Sequence, residues 1–303
     1  MKCLIAVDAG GTKIKVRSYA SDMHIIKEML GGCGSPAIDG DNALNRIFGL
    51  IKDMKAEMEN QGHEVFMVIA GISGLGVVLN AKEREAALAQ ELGLPVILNN
   101  DAIEGVWSVV RDTYKQGIMV ICGTGNSCMG IQKDCNPAKL ILKGGWGDRI
   151  MEKGSAWACV NELILNIVDA DEHHKPLTPL EIAFLNKLGY NQPSGIKFYV
   201  YAHQKNDIAS FAKWVAEEAS AGDEEAITIL KHNGEYLADQ INRTLEDMNL
   251  DNKTVLGFRG SFASKVELVR QICLANIKYP IELEAEESDP ITGCFYQAKA
   301  LGF

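Results

Sequence analysis

Residues 3–7 form an apolar run that Asp8 closes, and 3–8 read as a buried strand. Residues 14–20 alternate roughly between apolar and polar, a second strand. Gly10-Gly11-Thr12 between them is turn chemistry, so the chain opens with a hairpin. A third short strand covers 25–30. Over 41–60, Leu44, Ile47, Phe48, Ile51, Met54 and Met58 fall at helical spacing, with Asp39 or Asp41 as N-cap. Strands over 65–70 and 96–98 then alternate with helices over 81–92 and 101–114. That alternation predicts an α/β sheet with parallel members.

At Gly117 the plan restarts. An apolar run over 118–122 ends in Gly123-Thr124-Gly125-Asn126-Ser127, and strands follow over 128–132 and 140–143. The repeated order of run, Gly/Thr turn, strand and strand predicts two related halves. Residues 155–248 read as mostly helical; 223–248 is the clearest, with Ile227, Leu230, Leu237, Ile241, Leu245 and Met248 on one face. A late strand over 255–258 leads into a glycine turn and a helix over 263–275, and Asp289-Pro290 reads as the cap and first turn of a last helix. The expected division is 1–116 plus 290–303 as one domain and 117–289 as the other.

Composition narrows the function. The 303 residues are 47% hydrophobic and 23% charged, an ordinary globular mixture. Acidic residues number 40 against 30 basic, for a net charge of -10, which disfavours nucleic acid and anionic membrane as partners. A phosphate ligand must therefore be held locally, by backbone N–H groups, a metal ion or a single lysine. The first apolar run is too short for a signal-peptide core, and no stretch reaches the length of a membrane span. The eight cysteines are scattered without a C-x-x-C pair, which argues against a disulfide framework or zinc site and fits a reducing cytoplasm.

Among motifs, neither a P-loop nor a G-x-S-x-G elbow occurs, and Gly123-Thr124-Gly125-Asn126-Ser127-Cys128 breaks the dinucleotide fingerprint at its third glycine. His173-His174 reads as a solvated helix end. Two glycine turns after apolar strands remain. In Asp8-Ala9-Gly10-Gly11-Thr12-Lys13, a carboxylate at the end of a buried strand is costly unless it faces a cation. Glycines let N–H groups converge on an anion, and Thr12 and Lys13 add a hydroxyl and a positive charge. Together they suit magnesium and a polyphosphate; an ordinary hairpin explains the glycines only. Gly123-Thr124-Gly125 has the same logic without the carboxylate. Asn99-Asn100-Asp101-Ala102 lies between a strand and a helix, so Asp101 is either an N-cap or a general base at the carboxyl end of a strand. Gly144-Gly145-Trp146-Gly147 either packs its tryptophan in the core or presents an aromatic face to a flat ligand such as a sugar ring.

Taken in order and spacing, Asp8 to Lys13, Asn100-Asp101-Ala102, Gly123 to Ser127, Gly144 to Gly147 and Gly260-Ser261-Phe262 resemble the N-acetylglucosamine kinase group of the BadF/BadG ATPase family, in the actin, sugar kinase and Hsp70 superfamily. The resemblance spans essentially the whole chain. It implies two ribonuclease-H-like domains closing on a cleft that holds ATP and Mg²⁺. It puts Asp8 near the metal, Gly10, Gly11, Thr12 and Lys13 at the terminal phosphates, and Gly123, Thr124 and Gly125 on their other side. Gly260 and Ser261 would approach the adenosine, and Ser73, Gly74, Gly145, Trp146 and Glu152 would line the sugar pocket. Asp101 would take a proton from a sugar hydroxyl, the 6-OH. Homodimers are common among such relatives.

Three departures stand out. Glu152 replaces a sugar-binding Asp, and Lys153 beside it reverses a charge. Gly34-Ser35-Pro36 stands where an Asn is usual, and Ala9 where Gly is common. Two other readings follow: an ATPase that activates a reductase through an iron–sulfur cluster, for which Cys33 is the one candidate ligand, and a sugar sensor without turnover.

Overall fold

The computed structural model describes residues 1–303 and contains two five-stranded sheets of the same design. The first joins β1 (Lys2–Ala9), β2 (Ile14–Ala20), β3 (Ile25–Gly31), β4 (Glu64–Ile72) and β5 (Val96–Asn99) in the order β3-β2-β1-β4-β5. The second joins β6 (Gln116–Cys122), β7 (Asn126–Gln132), β8 (Lys139–Gly144), β9 (Thr254–Arg259) and β10 (Glu282–Leu283) in the order β10-β9-β6-β7-β8. Each sheet is an antiparallel meander of three strands extended by two parallel ones. The restart at Gly117 is thus a repeat of topology, and the architecture is that of two ribonuclease-H-like halves.

Burial explains why β1 reads as an apolar run and not as an alternation. Cys3, Ile5 and Val7 face α1 (Pro36–Asn60) and α2 (Ala81–Leu92), while Leu4 and Ala6 face α12 (Thr292–Ala300) on the other side. In β6, Ile118, Val120 and Cys122 join the large core formed with α4 (Ala156–Glu172), α9 (Glu224–Glu246) and α11 (Glu267–Ala275), and Met119 faces the opposite way.

Met119 meets α3 (Asp101–Val110), the helix that fixes the geometry of the site. A Cβ built on Gly117 would come within 2.5 Å of Val110 Cγ1, and one on Gly105 within 2.4 Å of Met119. As helix numbers rise, strand numbers fall, so α3 runs antiparallel to β6. Asp101, at the carboxyl end of β5, therefore lies on the same side of the molecule as the turn that follows β6.

Several boundaries differ from expectation. The helix expected over 41–60 starts at Pro36 and kinks at Asp39 and Gly40. That expected over 101–114 stops at Val110. The one expected over 263–275 is two, α10 (Ser261–Lys265) and α11. The central helical region also holds α5 (Pro179–Lys187), α6 (Gly195–Ala202), α7 (Lys205–Ala209) and α8 (Ala212–Ser220). Asp289-Pro290 is not a cap: α12 begins at Thr292, and the Asp289 side chain accepts from Lys15 and Arg17 instead. No helix is long and apolar enough to cross a membrane.

Candidate active site

At the carboxyl edge of the first sheet, three segments are tied together by their backbones. The Gly10 N–H donates to the Lys13 carbonyl at 2.9 Å, the Gly34 N–H to the Gly10 carbonyl at 2.9 Å, and the Ser73 N–H to the Ala9 carbonyl at 2.8 Å. This leaves Thr12 and Lys13 exposed on the β1–β2 turn, with Asp8 half-buried at its base. Burial raises the Asp8 carboxyl; Lys15 opposes that rise, and Asp289 and Asp101 add to it.

Asp101 is the first residue of α3 and not its cap. Asn100 holds that position, its side-chain oxygen accepting the Ala102 N–H at 3.0 Å. Asp101 Oδ1 accepts the same Ala102 N–H at 3.0 Å, and the carboxylate stays half-buried at the carboxyl end of β5. Burial raises it, while the nearby Ser73 hydroxyl and the Ala102 N–H restrain the rise. Gly74, beside Ser73, sits at φ +77 with no room for a Cβ, which would meet Ala37 at 2.7 Å.

One residue here was not anticipated. Glu104 is buried beneath the edge, with Oε1 accepting from Asn99 Nδ2 at 2.6 Å and Oε2 without a partner. Burial pushes its carboxyl up to about 7, against the Asn99 hydrogen bond and the nearby Cys294 thiol and with help from the Asp8 charge. Its sequence signal was an acid on a helix whose neighbours Ala102, Val106 and Val109 are all buried and apolar.

The second sheet presents its own turn. The Gly123 N–H donates to the Gly125 carbonyl at 2.9 Å, and the Asn126 N–H to Glu152 Oε1 at 2.8 Å. Gly260, at φ +89, lies against that turn; a Cβ on it would come within 2.7 Å of the Cys122 carbonyl. Thr124 and Ser261 border a cavity of about 760 Å³ whose walls include Ala209, Ala212, Phe262 and Val266. Lys213, Glu217 and Lys265 also line it, so an apolar floor is mixed with polar and charged groups, a lining that suits a nucleoside.

Glu152 lies at this turn with both oxygens engaged, Oε1 by the Asn126 N–H and Oε2 by Lys205 Nζ at 2.6 Å. Gly145, Gly147 and Glu152 line one groove with residues 123–127. Trp146 is 61% exposed, which rules out the core-packing alternative. The predicted residues thus fall into two groups. Asp8, Gly10, Gly11, Thr12, Lys13, Ser73, Gly74 and Asp101 sit on the first sheet's edge. Gly123, Thr124, Gly125, Gly145, Trp146, Glu152, Gly260 and Ser261 sit on the second's.

A magnesium ion is compatible with these groups. No three His, Cys, Asp or Glu side chains converge on one point. Magnesium at Asp8 would accordingly share that carboxylate with phosphate oxygens and water, its usual manner with nucleotides.

The chain is 23% identical over 262 residues to the N-acetyl-D-glucosamine kinase of Dictyostelium discoideum, covering 82% of this chain and 81% of the relative. Its fold matches a candidate N-acetylglucosamine kinase from Chromobacterium violaceum at TM-score 0.67 and 20% identity, over 97% of this chain and 98% of that one. A ROK family glucokinase from Streptomyces griseus, solved with glucose and AMPPNP, matches at TM-score 0.54 and 17% identity, over 96% and 97%. The description of the BadF/BadG/BcrA/BcrD ATPase family fits residues 5–288, and the chain belongs to that family.

Proposed function

We propose that the protein is an ATP-dependent kinase that phosphorylates an amino or N-acetylated hexose resembling N-acetylglucosamine at its 6-hydroxyl. The observation that carries the reading is Asp101: a half-buried carboxylate at the carboxyl end of β5, under the influence of the Ser73 hydroxyl and the Asp8 charge, on the same side as the Gly123–Gly125 turn. In this reading the two lobes are 1–116 plus 290–303 and 117–289, and they enclose both substrates.

The β1–β2 turn and the Gly123–Gly125 turn grip the phosphates from opposite sides, with Gly260 and Ser261 at the adenosine. Trp146 stacks on the sugar, and Ser73, Gly74, Gly145 and Glu152 border its pocket. Asp101 accepts the 6-hydroxyl proton as that oxygen bonds to the γ-phosphorus and the bond to ADP breaks. Magnesium bound at Asp8 supplies charge neutralisation on the phosphates. Positioning by the two turns provides the remaining acceleration.

The eight free thiols fit a cytoplasmic enzyme, and we expect a homodimer. The reading is tested by ADP release over N-acetylglucosamine, glucosamine, N-acetylmannosamine, N-acetylmuramic acid and glucose. Turnover on an N-acetylated or amino sugar supports it; sugar-independent hydrolysis, or none with any sugar, overturns it.

A further inference from the structure

We propose that Lys205 is the cation that binds the nucleotide phosphates from the second lobe, and that Glu152 holds its ammonium in place until they arrive. The inference rests on ATP binding as read above and adds a residue to it.

The Gly123–Gly125 turn alone is a weak anion site. The Gly123 N–H is already spent on the Gly125 carbonyl and the Asn126 N–H on Glu152, which leaves those of Thr124 and Gly125. A buried carboxylate, Glu152, stands against the same turn, its side chain only 4% exposed, and Asp148 lies close by. Phosphates entering there meet negative charge unless a cation answers it. Lys205 is the one cation among the side chains lining this groove. Its Nζ is 3.1 Å from where a Cβ on Gly125 would sit, 2.6 Å from Glu152 Oε2 and 3.7 Å from Asp148 Oδ1. Lys153, the neighbouring basic residue, points elsewhere, over the Tyr236 ring at 5.8 Å.

The helix that carries Lys205 also builds the nucleoside cavity. Asn206 and Ala209 of α7 line that cavity, together with Thr124 from the turn. One five-residue helix therefore lines both the groove at the turn and the nucleoside cavity. The lysine side chain remains 25% exposed, so its flexible stem can turn from carboxylate to phosphate. Glu152, pinned by the Asn126 N–H, stays behind as the resting partner.

The test is a ladder of ligands titrated calorimetrically against the full-length protein: adenosine, AMP, ADP and ATP. Lys205→Gln is expected to weaken ADP and ATP roughly tenfold or more, the scale of a lost charge-assisted contact, and to leave adenosine within twofold. Lys205→Arg should restore most of the ADP affinity. Glu152→Gln, which frees the ammonium, should leave ADP affinity equal or higher. Equal losses for adenosine and ADP in Lys205→Gln, or no loss for either, overturn the inference while ATP binding by the unaltered protein stands. If the unaltered protein binds no adenine nucleotide, the kinase reading falls and this assignment with it.

Discussion

The carboxylate of Asp289 bonds the Lys15 ammonium at 2.9 Å across 274 positions of the chain. The same oxygen accepts from Arg17 Nη1 at 2.8 Å, so the segment before α12 is fastened to the middle of β2. Burial alone would raise the Asp289 carboxyl, but Lys15 and Arg17 hold it below the ordinary range. A depressed carboxyl stabilises the fold above its unfolded value, 3.8, and loses that contribution as pH falls through the folded one. Asp289→Asn should therefore lower stability at pH 7 by about 1–3 kcal/mol. The gap from the unaltered protein should narrow below about pH 4, as read by urea unfolding across pH.

Asp101→Asn should reduce kcat on the order of 10²–10⁴-fold with ATP affinity retained. Because burial raises Asp101, the acid limb of the rate profile should lie above the usual carboxylate range. Ser73→Ala removes a nearby hydroxyl that favours the ionised form. That limb should move to higher pH, alongside any rise in the sugar KM from the lost pocket hydroxyl. A limb that stays in place in Ser73→Ala counts against the contact's role.

Glu104 carries the opposite sign to Asp289. Its folded value of about 7 exceeds the unfolded 4.5, so the folded chain binds the extra proton between them and stability falls as pH rises through that window. Glu104→Gln, which mimics the neutral acid, should flatten the slope and be more stable above pH 7, on the order of 2–3 kcal/mol. Thermal melts from pH 4.5 to 8 give the answer; parallel curves for the two proteins contradict it.

Trp146→Ala should raise the sugar KM roughly 3- to 10-fold, the worth of one aromatic stack. An exposed side chain contributes little to folding, so the melting temperature should hold.

How much of this was legible depends on whether the cause is local. β1 and β6 are recognisable because strands covered on both faces carry unbroken apolar runs. The two glycine turns and Asp101 are legible because they follow such runs directly. Asn100 took the cap ahead of Asp101, since either side chain has the right chemistry and only geometry chooses between them. β10 is two exposed residues held by β9, so it leaves no pattern. The break between α10 and α11 falls inside a sequence that would continue a helix. Asp289 looks like a cap until its partners, more than 270 positions away, are seen. Lys205 has no signal of its own, because its partner Glu152 is 53 residues distant.

The crossing of α3 and α12 has a mechanical consequence. A Cβ on Gly293 would lie 1.8 Å from the Glu104 carbonyl oxygen, so the two helices touch backbone to backbone. α12 rests on the first sheet, while α3 packs on the second and also reaches Gly71 and Asn99 of the first. A residue any larger than glycine at 293 would therefore push apart the two helices whose contact lies one turn from Asp101, and the cost would reach that carboxylate directly.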